Sequence, residues 1–168
     1  AMAGYGCGSG GLNTAAGYQA LYSNTTGSGN VALGGYALRS STTSSNNVAV
    51  GYTSQYNTTT GSLNVSIGHA TLEDNTTGNS NVVVGYESLK ANTTGFENSV
   101  LGNRALKFNT TGYRNVAIGA GSLEDSTQSN NTGVGYDCLK NCTGSENTAI
   151  GSEAGDALTS GSNNIIIG

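Results

Sequence analysis

The sequence predicts an all-β fold in which the chain coils on itself as a parallel β-solenoid of about ten turns. Three observations carry this prediction: a repeat of 17 residues, a short β-branched segment at one place in each repeat, and an asparagine and a glycine that bracket this segment. So short a period is typical of solenoids, in which each repeat forms one coil and packs only on its neighbours.

An asparagine marks the start of each repeat, at intervals of 17 residues with two intervals of 16. The ten positions are Asn13, Asn30, Asn47, Asn64, Asn81, Asn98, Asn115, Asn131, Asn147 and Asn164. Stacked coils would bring these side chains into one file, where amides can hydrogen-bond from coil to coil. We therefore expect the asparagines to form a structural ladder along the solenoid axis.

The segment after each asparagine has the composition of a β-strand, with the consensus Asn-Val-Ala-Ile-Gly. Because side chains alternate across a strand, Val48 and Val50 share one face and Ala49 lies on the other. Both faces are apolar, as in strands that are covered on both sides. One face should therefore meet the coil interior, and the other should meet a second surface.

A leucine later in the repeat recurs too regularly to be exposed, and we expect it to form a second core ladder. Its positions are Leu21, Leu38, Leu72, Leu89, Leu106, Leu123 and Leu139. Charged residues and an Asn-Thr-Thr-Gly segment follow it. This segment is expected to be a turn, because asparagine and glycine accept positive φ. Each coil should thus hold two short strands and two turns, with coils ~4.8 Å apart and an array on the order of 45–50 Å long.

The boundaries of the repeats suggest two parts. Residues 1–12 are expected to be an expression remnant, Ala1-Met2, followed by a degenerate partial repeat, and residues 13–168 a repeat array cut from a longer chain. The net charge is −4 and the six basic residues are scattered, which argues against nucleic acid as a partner. No apolar run approaches the ~20 residues of a membrane-spanning helix, so membrane insertion is not expected.

Catalysis is not expected, because no pattern brings unlike reactive groups together. His69 is the only histidine and takes a position that tyrosine holds elsewhere, so we expect a stacked ring. The adjacent carboxylates Glu73-Asp74 and Glu124-Asp125 are expected to be solvated turn residues, with weak cation binding as the alternative. Neither a cofactor nor a calcium-binding repeat is indicated.

The cysteines are expected to be unreactive. Cys7 and Cys138 take a position that small residues hold in other repeats, and free cysteine often behaves as a small core residue. Cys138 and Cys142 leave a disulfide or half of a metal site open, but no second pair of ligands completes a metal site.

The segments Asn30–Gly34, Asn47–Gly51 and Asn115–Gly119 resemble the Asn-x-Val-Ala-Ile-Gly head repeats of trimeric autotransporter adhesins. They are also similar to repeat arrays in phage tail fibres and large bacterial surface proteins. The resemblance covers Asn13 to Gly168 and implies a left-handed β-roll that assembles as an obligate homotrimer. The repeat is longer than that of adhesin heads and closer to the arrays of phage and environmental bacterial proteins.

We therefore expect an extracellular segment of a surface fibre, on a cell or a virion, that presents or contributes to binding of a carbohydrate or protein receptor. The spare apolar face of the strands also favours self-association, since one thin coil buries few large side chains against its ordering entropy. Aromatic residues that break the consensus are the candidate contacts, with packing between coils or subunits as their alternative role. They are Tyr22, Tyr56, Phe96, Phe108 and Tyr113.

The alternative function is ice binding through threonines that occupy one position in nine successive coils. They are Thr25, Thr42, Thr59, Thr76, Thr93, Thr110, Thr127, Thr143 and Thr159. A second file, from Thr26 to Thr111, runs beside the first. Adjacent residues point to opposite sides of a strand, whereas a flat binding face needs alternate residues. Hydroxyls that cap the turns are therefore the favoured interpretation.

Overall fold

The computed structural model describes residues 9–168, and this part of the chain contains β-strands and turns but no helix. Each coil contributes one strand of three residues. The strands are β1 Thr14–Ala16, β2 Val31–Leu33, β3 Val48–Val50, β4 Val65–Ile67, β5 Val82–Val84, β6 Ser99–Leu101, β7 Val116–Ile118, β8 Thr132–Val134, β9 Thr148–Ile150 and β10 Ile165–Ile167. No helix in the described chain is long and apolar enough to cross a membrane.

The ten strands form one parallel sheet in the order in which they occur along the chain. Residues one repeat apart are paired: Val31 lies opposite Val48, and Ala32 opposite Ala49. One repeat is therefore one coil, and the predicted β-solenoid is confirmed.

The two repeats of 16 residues keep the register of the sheet. Val116 pairs with Thr132, which in turn pairs with Thr148. The missing residue lies at the turn, where Ser126-Thr127-Gln128 and Cys142-Thr143-Gly144 replace the usual four residues. A shorter turn, and not a shifted strand, absorbs the difference in length.

The middle residue of each strand points into the coil, and the first and third residues point outward. Ala32 and Ala49 are fully buried, whereas Leu33 and Leu101 keep 37% and 52% of their surface. Most coils have alanine, serine or glycine at the middle position, and Val83 and Val100 are also buried there against the leucine ladder. The expectation that one apolar face meets the interior is confirmed, and that face carries the middle residues.

The leucines form the second side of the core, as predicted: Leu21, Leu38, Leu72, Leu89, Leu106, Leu123 and Leu139 have no exposed surface. The prediction of a second strand around these leucines is wrong. These leucines have φ between 47° and 53°, the left-handed region, which is incompatible with β geometry. Their amides still hydrogen-bond between coils, as from Leu38 N to Ser54 O at 3.1 Å.

A polar layer divides the apolar core into two clusters. Gln55 takes the leucine position of the third coil and is fully buried. Its Nε2 donates to Val48 O at 3.0 Å and to Ser66 Oγ at 2.9 Å. One apolar cluster lies on the side of Ala20 to Ala49, and the other begins at Leu72.

Candidate functional site

The repeat asparagines form the predicted ladder. Asn47 donates its backbone N–H and its Nδ2 to Asn30 Oδ1 at 3.0 and 3.2 Å, and Nδ2 also donates to Gly61 O at 2.9 Å. The same three bonds recur at Asn64, Asn81 and Asn98. These amides are buried and engaged in coil-to-coil bonds, which leaves them a structural role.

A second asparagine file lies at the turns and was not anticipated as a ladder. Asn92 Nδ2 donates to Asn75 Oδ1 at 2.9 Å, and Asn109 Nδ2 to Asn92 Oδ1 at 3.3 Å. All three side chains are buried. The signal in the sequence is the fixed place of this asparagine in the Asn-Thr-Thr-Gly turn.

The two threonine files differ in what their side chains contact. In the first file, Thr25 Oγ1 donates to Thr42 O of the next coil at 2.9 Å, and Thr93 Oγ1 does the same to Thr110 O at 3.0 Å. This geometry agrees with hydroxyls that cap turns. The second file is exposed in six consecutive coils. It consists of Thr26, Thr43, Thr60, Thr77, Thr94 and Thr111.

The outward face of the sheet, which we call the outer sheet face, is a mostly apolar stripe that Ser99, Thr132 and Thr148 interrupt in its first row. It consists of the first and third residues of strands β2 to β10 and contains no charged residue. Ile67, Val82, Ile118 and Ile150 keep between 40% and 49% of their surface in the single chain. Such a stripe, ~4.8 Å per strand along the axis, covers a few hundred Å2, the size at which apolar patches mark interaction surfaces.

A cleft of about 400 Å3 opens where the chain leaves the first strands. We call it the tyrosine cleft. It is lined by Tyr18, Gln19, Tyr36, Arg39, Tyr52, Thr53, Tyr56 and Glu73. Aromatic walls with a few polar groups are the usual make-up of a small-molecule site.

Tyr36 is the centre of the aromatic wall. Its ring meets Tyr18 and Tyr52 edge to face, with centroids 5.2 and 5.7 Å away, and Tyr56 at 6.1 Å. Edge-to-face pairs fix ring orientation. Tyr18 and Tyr52 nonetheless keep 53% and 52% of their surface, so rigid rings face the solvent.

Arg39 lies at the cleft between two rings. Its guanidinium carbon is 5.8 Å from the Tyr22 ring centroid and 5.5 Å from that of Tyr56, within cation–π range. Arg39 Nε donates to Gln19 Oε1 at 2.8 Å. Within residues 9–168, Arg39 is the one basic side chain that pairs with no carboxylate.

Each of the other five basic residues forms an ion pair, and four of them do so along the same side of the coil: Lys90, Arg104, Lys107 and Lys140. Lys107 pairs with Glu87 at 2.7 Å, and this bond lowers the pKa of the Glu87 carboxyl. Lys90 pairs with Glu73 at 3.2 Å, which raises the pKa of the lysine. Positive charge is therefore locally balanced everywhere along this row except at Arg39.

Glu124 corrects one expectation about the adjacent carboxylates. It is 3% exposed and not a solvated turn residue, because Arg104 and Lys140 both pair with it. The leucine turn points its side chain along the coil surface, where cations from neighbouring coils cover it. Asp125, its neighbour, is exposed as expected.

The five consensus-breaking aromatics fall in three places. Tyr22 and Tyr56 flank Arg39. Phe96 and Tyr113 stack in parallel at 4.8 Å on another side of the coil, and Phe108 lies by itself beside Lys107 Nζ at 5.1 Å.

The sequence did not single out Tyr18, Tyr36 and Tyr52, because two of them follow the consensus and Tyr36 is displaced by one position. Only their joint position around one cleft distinguishes them. His69 stacks between Tyr52 at 5.6 Å and Tyr86 at 5.3 Å, as predicted.

The thiols and carboxylates form no reactive centre in the described chain. Cys138 and Cys142 are buried and unpaired, and burial raises the pKa of the Cys138 thiol. Cys7 lies outside the described residues. Among residues 9–168, no group of three or more His, Cys, Asp or Glu side chains is placed to hold a metal ion.

Comparison with known proteins adds no assignment. No family model matches this sequence, and no curated protein or solved structure matches it either. Function is therefore inferred from the outer sheet face and the tyrosine cleft.

Proposed function

We propose that this chain is a structural and adhesive segment of a trimeric surface fibre, of the kind found in phage tail fibres or bacterial adhesins, and that it lies outside the cell or on a virion. The observation that carries the proposal is the outer sheet face. The third residue of every strand from β2 to β10 is a partly or largely exposed Val, Ile or Leu, and no charged residue lies on this face.

Other copies of the same chain are the occupants that fit this face best. Their repeats have the same axial spacing. In parallel copies in register, the two outward residues of each strand would therefore meet the equivalent residues of the other copies. Covering half-exposed Val, Ile or Leu gains roughly 1 kcal/mol per residue. Summed over nine strands, this gain is larger than the free-energy cost of association. A contact limited to one or two strands would not offset that cost.

The fibre proposal also accounts for the rigidity of the coil. The two asparagine files and the strand ladder bind each coil to the next, so the array resists bending over its length. A stiff rod suits a spacer that holds a receptor-binding element away from a surface. The tyrosine cleft on its side gives the rod a place for contact of its own.

The mass of the protein in solution tests this proposal. Light scattering coupled to size-exclusion chromatography, at micromolar concentration, should give three times the chain mass of 16.8 kDa. A monomer at that concentration would overturn the fibre proposal. A stable dimer would also contradict it, because the proposed fibre contains three chains.

Ice binding is the second candidate, and the exposed file from Thr26 to Thr111 favours it. Six threonines in consecutive coils form one regular row. A single row is narrow, and the neighbouring hydroxyls already bond to the backbone. Thermal hysteresis at micromolar protein, lost in Thr60→Lys, would establish this function in place of the first.

A further inference from the structure

We propose that the tyrosine cleft binds acidic saccharides, with Arg39 pairing with a carboxylate or sulfate and the tyrosine rings packing on the sugar. The inference rests on the adhesive role proposed above and names the class of ligand. It depends on three features that meet in one place: an uncompensated guanidinium, a rigid aromatic wall and a cleft of about 400 Å3.

The guanidinium is the first feature. Arg39 Nε is occupied by Gln19, while its two terminal amino groups have no protein partner among residues 9–168. The rings of Tyr22 and Tyr56 on either side hold its plane in place. A planar, fixed guanidinium with free N–H groups matches the geometry of a carboxylate or sulfate, which it can bind through two parallel hydrogen bonds.

The charge of the lining supports an anionic ligand. Among the described residues that line the cleft, Glu73 is the only acidic one, and Lys90 already pairs with it at 3.2 Å. The remaining polar groups, Gln19 and Thr53, are neutral. The uncompensated charge that a ligand would meet is therefore positive, although the whole chain has a net charge of −4.

The aromatic wall supports a sugar over a simple anion. Tyr18 and Tyr52 present half-exposed rings, and Tyr36 fixes both of them edge to face. A pyranose has one apolar face of C–H groups and an edge of hydroxyls, so it fits a surface with rigid rings and a few polar side chains. An inorganic anion would use Arg39 but leave the rings uncovered.

The same chain contains a matched control site. Arg114 lies 5.9 and 5.6 Å from the rings of Phe96 and Tyr113, as Arg39 does between two tyrosines. Its guanidinium pairs with Glu97 at 2.7 Å, however, and its two aromatic partners are stacked on each other. Arg114 thus shares the aromatic surroundings and an occupied Nε, but its positive charge is already neutralised by Glu97.

Calorimetric titration of the assembled protein tests the proposal with a tetramer of galacturonic acid and the same tetramer fully methyl-esterified. The acid should bind at least about tenfold more tightly than the ester, because hydrogen bonds to charged groups are the strong ones. Arg39→Gln should abolish this preference, Arg39→Lys should keep it at reduced strength, and Arg114→Gln should leave it unchanged. A sulfated galactose tetramer, which carries sulfates and no carboxylate, distinguishes sulfate from carboxylate as the preferred group.

Equal affinity for acid and ester, or a preference that survives in Arg39→Gln, would overturn the proposal. So would binding of inorganic sulfate as tightly as of either tetrasaccharide, since the rings would then contribute nothing. Thermal midpoints of the variants verify that each is folded. If the original protein has the mass of three chains but binds no saccharide, only the cleft proposal is refuted. If it has the mass of one chain, the fibre proposal is refuted.

Discussion

Gln55 donates a hydrogen bond to Ser66 across the inside of the coil, at a level where every neighbouring coil has leucine and alanine or valine. The two residues, with Ser54, form a polar layer between the two apolar clusters of the core. Gln55 Oε1 is buried there without a hydrogen-bond partner. An unsatisfied buried acceptor costs about 1–3 kcal/mol.

Replacing this layer with the residues of the neighbouring coil should stabilise the protein. The triple variant Ser54→Ala, Gln55→Leu, Ser66→Ala restores the pattern of Ala37, Leu38 and Ala49. We expect the free energy of unfolding to rise by about 1–3 kcal/mol, measured by denaturant titration. Exposed Gln128→Leu is the control and should change it by less than about 0.5 kcal/mol; a destabilised triple variant would show that the polar layer is favourable.

Asn81→Ala should be strongly destabilising. The side chain accepts two bonds from Asn98 and donates to Asn64 Oδ1 and Gly95 O, all between 3.0 and 3.1 Å. Its loss leaves buried donors and acceptors unpaired on both neighbouring coils, at a cost of about 3 kcal/mol or more. Thermal unfolding measures the effect, and Asn103→Ala at an exposed position should have almost none.

Ile67→Lys should separate the chains without unfolding them. The side chain is 42% exposed in a single coil, so a lysine there can reach water when the chain is alone. In a trimer it would bury a charge on the outer sheet face. We expect the mass by light scattering to fall to that of one chain, with an unchanged circular dichroism spectrum.

Thr77→Lys is the matched control, since it adds the same charge to the exposed threonine file. It should remain trimeric. If both variants keep the assembled mass, the outer sheet face is not the interface.

Glu87 should make the stability depend on pH. Its pKa is lowered from 4.5 by the bond to Lys107 and the charge of Lys90, so its ionised form stabilises the fold. This contribution is fully present above pH 4.5 and is lost as the pH falls through the lowered pKa. Glu87→Gln should therefore lower the thermal midpoint at pH 7 but bring the variant level with the original chain at strongly acidic pH.

Exposed Glu153→Gln serves as the comparison, since Glu153 forms no ion pair within the described residues. Its thermal midpoint should match that of the original chain at both pH values. An equal pH response in the two variants would contradict a special role for Glu87.

The parts of the fold that follow from identity between repeats were predictable. Stacking brings each asparagine next to the equivalent one, and Leu38 recurs too regularly to be outside. The conformation around that leucine was not predictable, because nothing in a leucine indicates positive φ. Left-handed geometry at Leu38 is a property of the closed coil, which must turn there while its amides still reach both neighbours.

The tyrosine cleft was harder to predict for a different reason. Tyr36 and Tyr52 occupy different positions in their repeats. The stacking of their two consecutive coils brings the ring centroids to 5.7 Å. The isolation of Arg39 likewise depends on which acidic residues the other coils place near the remaining cations. A residue that departs from the repeat can be assigned to a site only when its neighbours in the adjacent coils are known.

The short turns in coils seven and eight reveal how this chain can change over evolutionary time. Asn98 Nδ2 donates to Gly112 O at 3.0 Å across a full-length turn, and Asn115 Nδ2 makes the equivalent bond to Gln128 O at 2.9 Å across a turn one residue shorter. The ladder closes in both cases, so a deletion at this corner does not propagate into the sheet. Insertions and deletions should therefore accumulate at this corner among natural variants, and foreign loops can be grafted there.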